Sequence, residues 1–166
     1  MLNSNCEEIG GCGIASPQGT WLGADLAAHP VMCTLAYWHE PLFSSGTTHG
    51  GDDEMRPVWQ LLYDAGADVV LSGHEHNYER FAPQDPNGFP DPKHGIRAFV
   101  VGTGGASHYP FGIPLPTSEV RNADTYGVLV LTLHPQGYDW EFDPVDAGDG
   151  QPDGKPFTDS GSTACH

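Results

Sequence analysis

Lysine and arginine are scarce in this sequence. Six of them stand against 22 aspartates and glutamates in 166 residues, giving a formal charge of −16 and an isoelectric point near 4.5. So acidic a chain excludes nucleic acid and anionic membranes as charged-surface partners, because both require clustered Lys and Arg. Nor does it attract a phosphate ester, so any phosphate site here must bring its own positive charge, most simply a metal ion. Long apolar runs are also missing: nothing approaches the roughly 18–20 residues of a membrane-crossing helix. The opening Met1-Leu2-Asn3-Ser4-Asn5-Cys6 has neither the basic start nor the apolar stretch of a secretory signal. No CxxC pair occurs, which argues against a zinc knuckle.

What is present reads as one loop-rich globular domain. The length suits a single core, and 22 glycines with 15 prolines disfavour a helical bundle. Four cysteines, Cys6, Cys12, Cys33 and Cys165, are compatible with two disulfides in an oxidising compartment. Cys6 and Cys12 flank a Gly-rich stretch able to close on itself, which favours Cys6–Cys12 with Cys33–Cys165, although three pairings are open. Turn signals fill the first thirty residues around a short helix at 20–28. Residues 31–38, "VMCTLAYW", read as a strand covered on both faces. From Asp53 the period changes: Met55, Val58, Trp59 and Leu62 define one helical face. Acids at 52–54 suit a helix N-terminus, Pro57 falls in the first turn, and Gly66 supplies the stop. "ADVVLSG" is then a second buried strand, so the unit predicts a parallel pair with a crossover helix. Beyond it, "GIRAFVVGTGG", "TYGVLVLTLHP" and "GYDWEF" are strands, the last two joined by a tight turn at 134–137. The fold class is therefore α/β, a mixed β-sheet with flanking helices. Its core spans about 31–142, and a loose Gly/Asp/Pro-rich tail occupies 143–166.

In such sheets ligands bind at the strand ends, and histidines stand there. His39 closes the first strand in "WHEP"; His74 and His76 follow the second in "VVLSGHEH". Neutral imidazole offers a directed lone pair near neutral pH, so adjacent strands would bring three potential metal ligands to one sheet edge. Gly73 is expected to let the backbone turn sharply beside them. Glu75 is read as facing away from the metal, as a supporting or surface residue. Tyr78 and Arg80 are expected to pair locally, and 102–105, "GTGG", to form a tight turn near the site.

"AYWHEPLFSSG", "AGADVVLSGHEHNYER" and "FVVGTGG" resemble the C-terminal half of the calcineurin-like metallophosphoesterases, nearest a purple acid phosphatase-like, secreted bacterial branch. The resemblance runs from about residue 33 to 142, and GHxHxYER is its specific part. It implies half of a four-layer α/β/β/α sandwich that holds two metal ions (iron, zinc or manganese). It also implies hydrolysis of phosphate mono- or diesters by a metal-bound hydroxide. On this likeness His39 and His74 would ligate one metal and His76 the other. His49 would meet the phosphate and protonate the leaving group, whereas the family's neighbouring histidine is Thr48 here.

The family's Asp-x-His, Gly-Asp-x-x-Asp and Gly-Asn-His-Asp/Glu motifs do not occur. They carry the bridging carboxylate, and two dications without one repel strongly. The expectation is therefore a C-terminal portion of a secreted phosphoesterase, its N-terminal half lying elsewhere and its active site incomplete. At most one metal would be held weakly by His39, His74 and His76. Two other readings compete. One is a cupin-like single-metal protein, in which His74, His76 and Glu79 form HxHxxE. The other is a non-catalytic, disulfide-stapled extracellular module whose acidic loops, among them "DAGDGQPDG", take up calcium.

Overall fold

The computed structural model describes residues 1–145 and 157–166. Ser16 opens α1 (Pro17–Ala28) by accepting the Gly19 N–H at 3.1 Å, an ordinary N-cap. Strand β1 (Leu35–Tyr37) is followed by a long loop, then by a 3-10 turn at Asp53–Met55 that Asp52 caps, and by α2 (Arg56–Asp64). As the spacing predicted, Met55, Val58, Trp59 and Leu62 are each at most 1% exposed. Burying four such side chains contributes on the order of 2 kcal/mol each. Next come β2 (Val69–Ser72), β3 (Tyr78–Phe81), β4 (Arg97–Val101) and β5 (Ser118–Asn122), then β6 (Gly127–His134), β7 (Gly137–Pro144) and β8 (Ser160–Ala164).

The first five strands form one mixed sheet in the order β1-β2-β4-β3-β5. β1, β2 and β4 run parallel, and β3 is antiparallel to both β4 and β5. The other three form an antiparallel sheet, β6-β7-β8. Alternation along the strands sends side chains to opposite faces. Val70, Ala98 and Phe81 join Trp59 and Leu62 in a core under the helices. Val69, Phe99 and Tyr78 instead meet Tyr138, Trp140 and Phe142 from the second sheet. The layers are thus helix, sheet, sheet: an α/β architecture, as expected.

Several boundaries differ from the sequence reading. The 31–38 strand shrinks to three residues, because Thr34 turns its N–H to the Asp68 carboxylate at 2.8 Å and the ladder starts only at Leu35. β1 is also an edge, with Tyr37 exposed, so it is not covered on both faces. The core extends outside 31–142 to Leu2, Cys6, Cys12 and Leu22. The tail is not loose throughout. β7 runs to Pro144, and 160–164 pair with it as β8, leaving the acidic stretch read for calcium outside the described residues. Both favoured disulfides are formed, Cys6–Cys12 and Cys33–Cys165. No helix among the described residues is long and apolar enough to cross a membrane.

Candidate functional site

Because β1 and β2 are parallel neighbours, the loops leaving them emerge side by side, and the Gly73 N–H donates to the His39 carbonyl at 3.0 Å. That bond lays the GHEH segment beside His39. The sharp turn is made by His74 itself, at φ 64°, in the left-handed region. Gly73 was expected to supply it, but a Cβ there would meet His39 Nδ1 only at 3.7 Å, an ordinary contact. His74 Nδ1 and His39 Nε2 stand 3.1 Å apart. The His49 ring lies over His74 with centroids 4.1 Å apart. Burial first, then the neighbouring imidazoles of His49 and His39, hold the His74 ring below the usual imidazole range.

His76 turns to other partners. Its Nδ1 is 3.0 Å from the Ser107 carbonyl, and its ring stacks on Tyr109 at 4.1 Å. Tyr109 also meets His49 edge-on at 5.4 Å, so one aromatic side chain spans the two histidines. The backbone brings it there, since the Tyr109 N–H donates to the His76 carbonyl at 3.0 Å. The structure therefore gathers His39, His74 and His49 ring against ring and links His76 to them through Tyr109.

Two glutamates of the same segment are fully buried. Glu75 is 0% exposed; its Oε1 accepts N–H bonds from Thr48, His49 and Gly50 at 3.1, 2.6 and 2.7 Å. It is thus no surface residue. Glu79 accepts from the Ser45 N–H at 2.7 Å and the Ser118 hydroxyl at 2.6 Å. Engaged in this way between a loop and β5, it does not act as the third ligand of an HxHxxE site. Tyr78 and Arg80 both donate to the Asp159 carboxylate, at 2.6 and 2.7 Å, so their shared partner comes from 81 and 79 residues further along the chain and not from nearby. Beside the imidazoles opens a cleft of about 490 Å³ lined by His49 and His74 with Glu7, Glu8, Glu40 and Asp52. Among the described residues no Lys or Arg lines it.

No family model matches the chain. It is 36% identical over 95 residues to purple acid phosphatase 18 of Arabidopsis thaliana, covering 54% of this chain and 21% of that protein. Purple acid phosphatase 15 of the same plant is 39% identical over 71 residues, 40% of this chain and 13% of that protein. In three dimensions the chain resembles purple acid phosphatase PPD1 from yellow lupin (Lupinus luteus) seeds with a TM-score of 0.72. The two are 23% identical, and the match covers 92% of this chain and 29% of that one. In sequence and in fold the chain is thus similar to the calcineurin-like metallophosphoesterases. It corresponds to their C-terminal region, and it spans only 13% and 21% of the two curated relatives just named. A second fold neighbour is GAP50, described as the anchor in the inner membrane complex of Plasmodium. Its TM-score is 0.62 at 23% identity, over 77% of this chain and 38% of that one.

The purple acid phosphatases use a dinuclear metal centre, and the side chains present fit part of one. Imidazole nitrogens 3.1 Å apart can both face one cation at about 2.1 Å, the usual zinc–nitrogen distance. His76 has the bearing of a supported ligand, with one ring nitrogen engaged by a carbonyl and the other left open. No carboxylate among the described residues completes either set. Among the described residues, no group of three or more His, Cys, Asp and Glu side chains is arranged to hold a metal ion. The residues present make an edge of a metal centre, not a whole one.

Sequence reasoning missed Tyr109 and the burial of Glu75. Tyr109 lies 33 residues beyond His76 in a chain region without a motif. Glu75 binds backbone amides, which carry no sequence signature.

Proposed function

We propose that this chain is the histidine-bearing portion of a phosphoesterase related to the purple acid phosphatases, acting on phosphate mono- or diesters. His39 and His74 are metal ligands on one side of the centre, His76 is a ligand on the other, and His49 faces the phosphate. The observation that carries the reading is the 3.1 Å approach of His39 and His74 at neighbouring parallel strand ends. When bound, two metal ions supply positive charge and an activated water for attack at phosphorus. The acidic cleft makes that charge necessary, since Glu7, Glu8, Glu40 and Asp52 would otherwise repel a phosphate.

The chain's own contribution lies in orientation and proton supply. The exposed His49 ring is packed between His74 and Tyr109. From there it can hydrogen-bond a phosphoryl oxygen and hand a proton to the leaving alkoxide. The remaining carboxylate ligands belong to motifs this sequence lacks, so the 166 residues alone are expected to turn over slowly or not at all. Two disulfides support an extracytoplasmic setting. A second reading, a non-catalytic module, draws on the fold neighbour described as an anchor.

Titration of the purified protein with zinc or manganese tests the first reading, followed by hydrolysis of p-nitrophenyl phosphate. His39→Ala and His74→Ala should each weaken metal binding at least tenfold. Equal affinity in wild type and both variants would remove the metal-ligand assignment and leave the non-catalytic module.

A further inference from the structure

We propose that Glu75 is the positioning residue of the imidazole cluster, its buried carboxylate setting where His49 stands against His74. The inference rests on the reading of His49 as the phosphate-facing group. Three consecutive N–H groups, from Thr48, His49 and Gly50, converge on one oxygen of Glu75 at 3.1, 2.6 and 2.7 Å. Gly50 has φ 74°, which helps turn this run of amides inward into an anion-binding concavity. Such a concavity in a phosphoesterase invites assignment to phosphate. Here the protein fills it with its own carboxylate, so phosphate must be met by side chains instead.

The surrounding backbone is shaped to this carboxylate. A Cβ on Gly46 would lie 2.4 Å from Glu75 Cδ and 2.6 and 2.7 Å from its two oxygens. A Cβ on Gly102 would lie 1.9 Å from the Glu75 carbonyl oxygen. Both positions therefore have to be glycine for Glu75 to sit where it does. The carboxylate's other oxygen, Oε2, is buried without a hydrogen-bond partner. That is the kind of residual cost a purely packing role would avoid, since an apolar side chain of similar size incurs none. Glu75 also lies between His74 and His76 in the chain, so its bonds tie the segment carrying both to the loop carrying His49. Charge-assisted bonds to three amides fix the His49 backbone. The ring contact with His74, centroids 4.1 Å apart, follows from that fixed loop.

Nuclear magnetic resonance of the full chain, without metal or ester, tests this. In wild type the His49 and Gly50 amide protons should resonate far downfield, with a cross-peak between the His49 and His74 rings. Glu75→Ala should abolish both signals, and formate, entering the vacated concavity, should restore both. A retained ring cross-peak in Glu75→Ala overturns the proposal. So does a loss that formate leaves unrepaired in an otherwise native spectrum, because the role is then packing. Should Glu75→Ala fail to fold, Glu75→Gln decides. Upfield shifts confined to the amides of 48–50 with a weakened ring cross-peak support positioning, and unchanged signals refute it. Because nothing here reads turnover or metal, failure of the phosphoesterase reading would show in the metal titration and leave this result standing.

Discussion

His74 holds a backbone conformation that a side chain disfavours, and it holds it at the point where two histidines meet. For a residue with a Cβ, φ of 64° costs about 1–2 kcal/mol relative to the right-handed form. Glycine escapes that cost but loses up to about 1 kcal/mol to unfolded-state entropy. In urea denaturation His74→Gly should therefore be the more stable of two variants, exceeding His74→Ala by about 1 kcal/mol, while both lose metal affinity. Equal stabilities would mean that the segment relaxes to another turn. Gly102 makes the complementary case. Its missing Cβ is the space occupied by the Glu75 carbonyl, 1.9 Å away, and backbone cannot swing aside like a side chain. Gly102→Ala should destabilise by about 1–3 kcal/mol, the range for overpacking, and should shift the Thr48–Gly50 amide resonances through Glu75. At this scale the sequence is legible where chemistry is written in residue type. Three histidines just beyond strand ends mark the candidate site. A carboxylate serving backbone amides 25 to 27 residues away announces nothing, because amides are the same at every position.

Asp159, just before β8, is the fastening between the two sheets. Its carboxylate accepts from Tyr78 and twice from Arg80, at 2.6, 2.7 and 3.1 Å. Arg80 in turn pairs with Glu119, while its guanidinium and that of Arg97 lie 5.1 and 5.0 Å from the ring of Trp140 on β7. Burial, with the Asp159 hydrogen bond next, pushes the Tyr78 phenol far above its usual range, so it stays a donor across the working pH range. With side-chain exposures of 12% for Arg80 and 8% for Asp159, Asp159→Ala would leave a desolvated cation without its main partner. The expected loss is about 3–5 kcal/mol, against 1 or less for a surface ion pair, measured by thermal or chemical unfolding. The same cluster explains which strands could be read. α2, β2, β4 and the β6–β7 hairpin follow from apolar period and turn residues. β3 does not, because half of it is the buried Glu79 and the half-buried Arg80, held there through pairing and not through hydrophobicity. β5, "SEVRN", and β8, "SGSTA", hold edge positions in their sheets. There a polar or small strand is stabilised by its ladder, and its sequence resembles a loop.

At the scale of the whole molecule, two crosslinks of very different reach hold an acidic chain together. Cys6–Cys12 spans 6 residues and Cys33–Cys165 spans 132. A crosslink removes unfolded-state entropy in proportion to the logarithm of the loop it closes. The short one is thus worth about 2 kcal/mol and the long one about 5 on the chain-entropy model. The long bridge also ties the residue after β8 to the residues before β1, and the Cys165 N–H donates to the Gln136 carbonyl at 3.0 Å. Both sheets are therefore closed by one bond. With a formal charge of −16, self-repulsion favours expansion of the chain, and a bond limiting that expansion gains weight as ionic strength falls. Replacing Cys33 and Cys165 together by serine should lower the urea midpoint by more than twice the shift from replacing Cys6 and Cys12, and the gap should widen in low salt. If the two double variants lose equal stability at every salt concentration, the crosslinks act through local native contacts instead, and the long bridge is not what keeps the second sheet on the first.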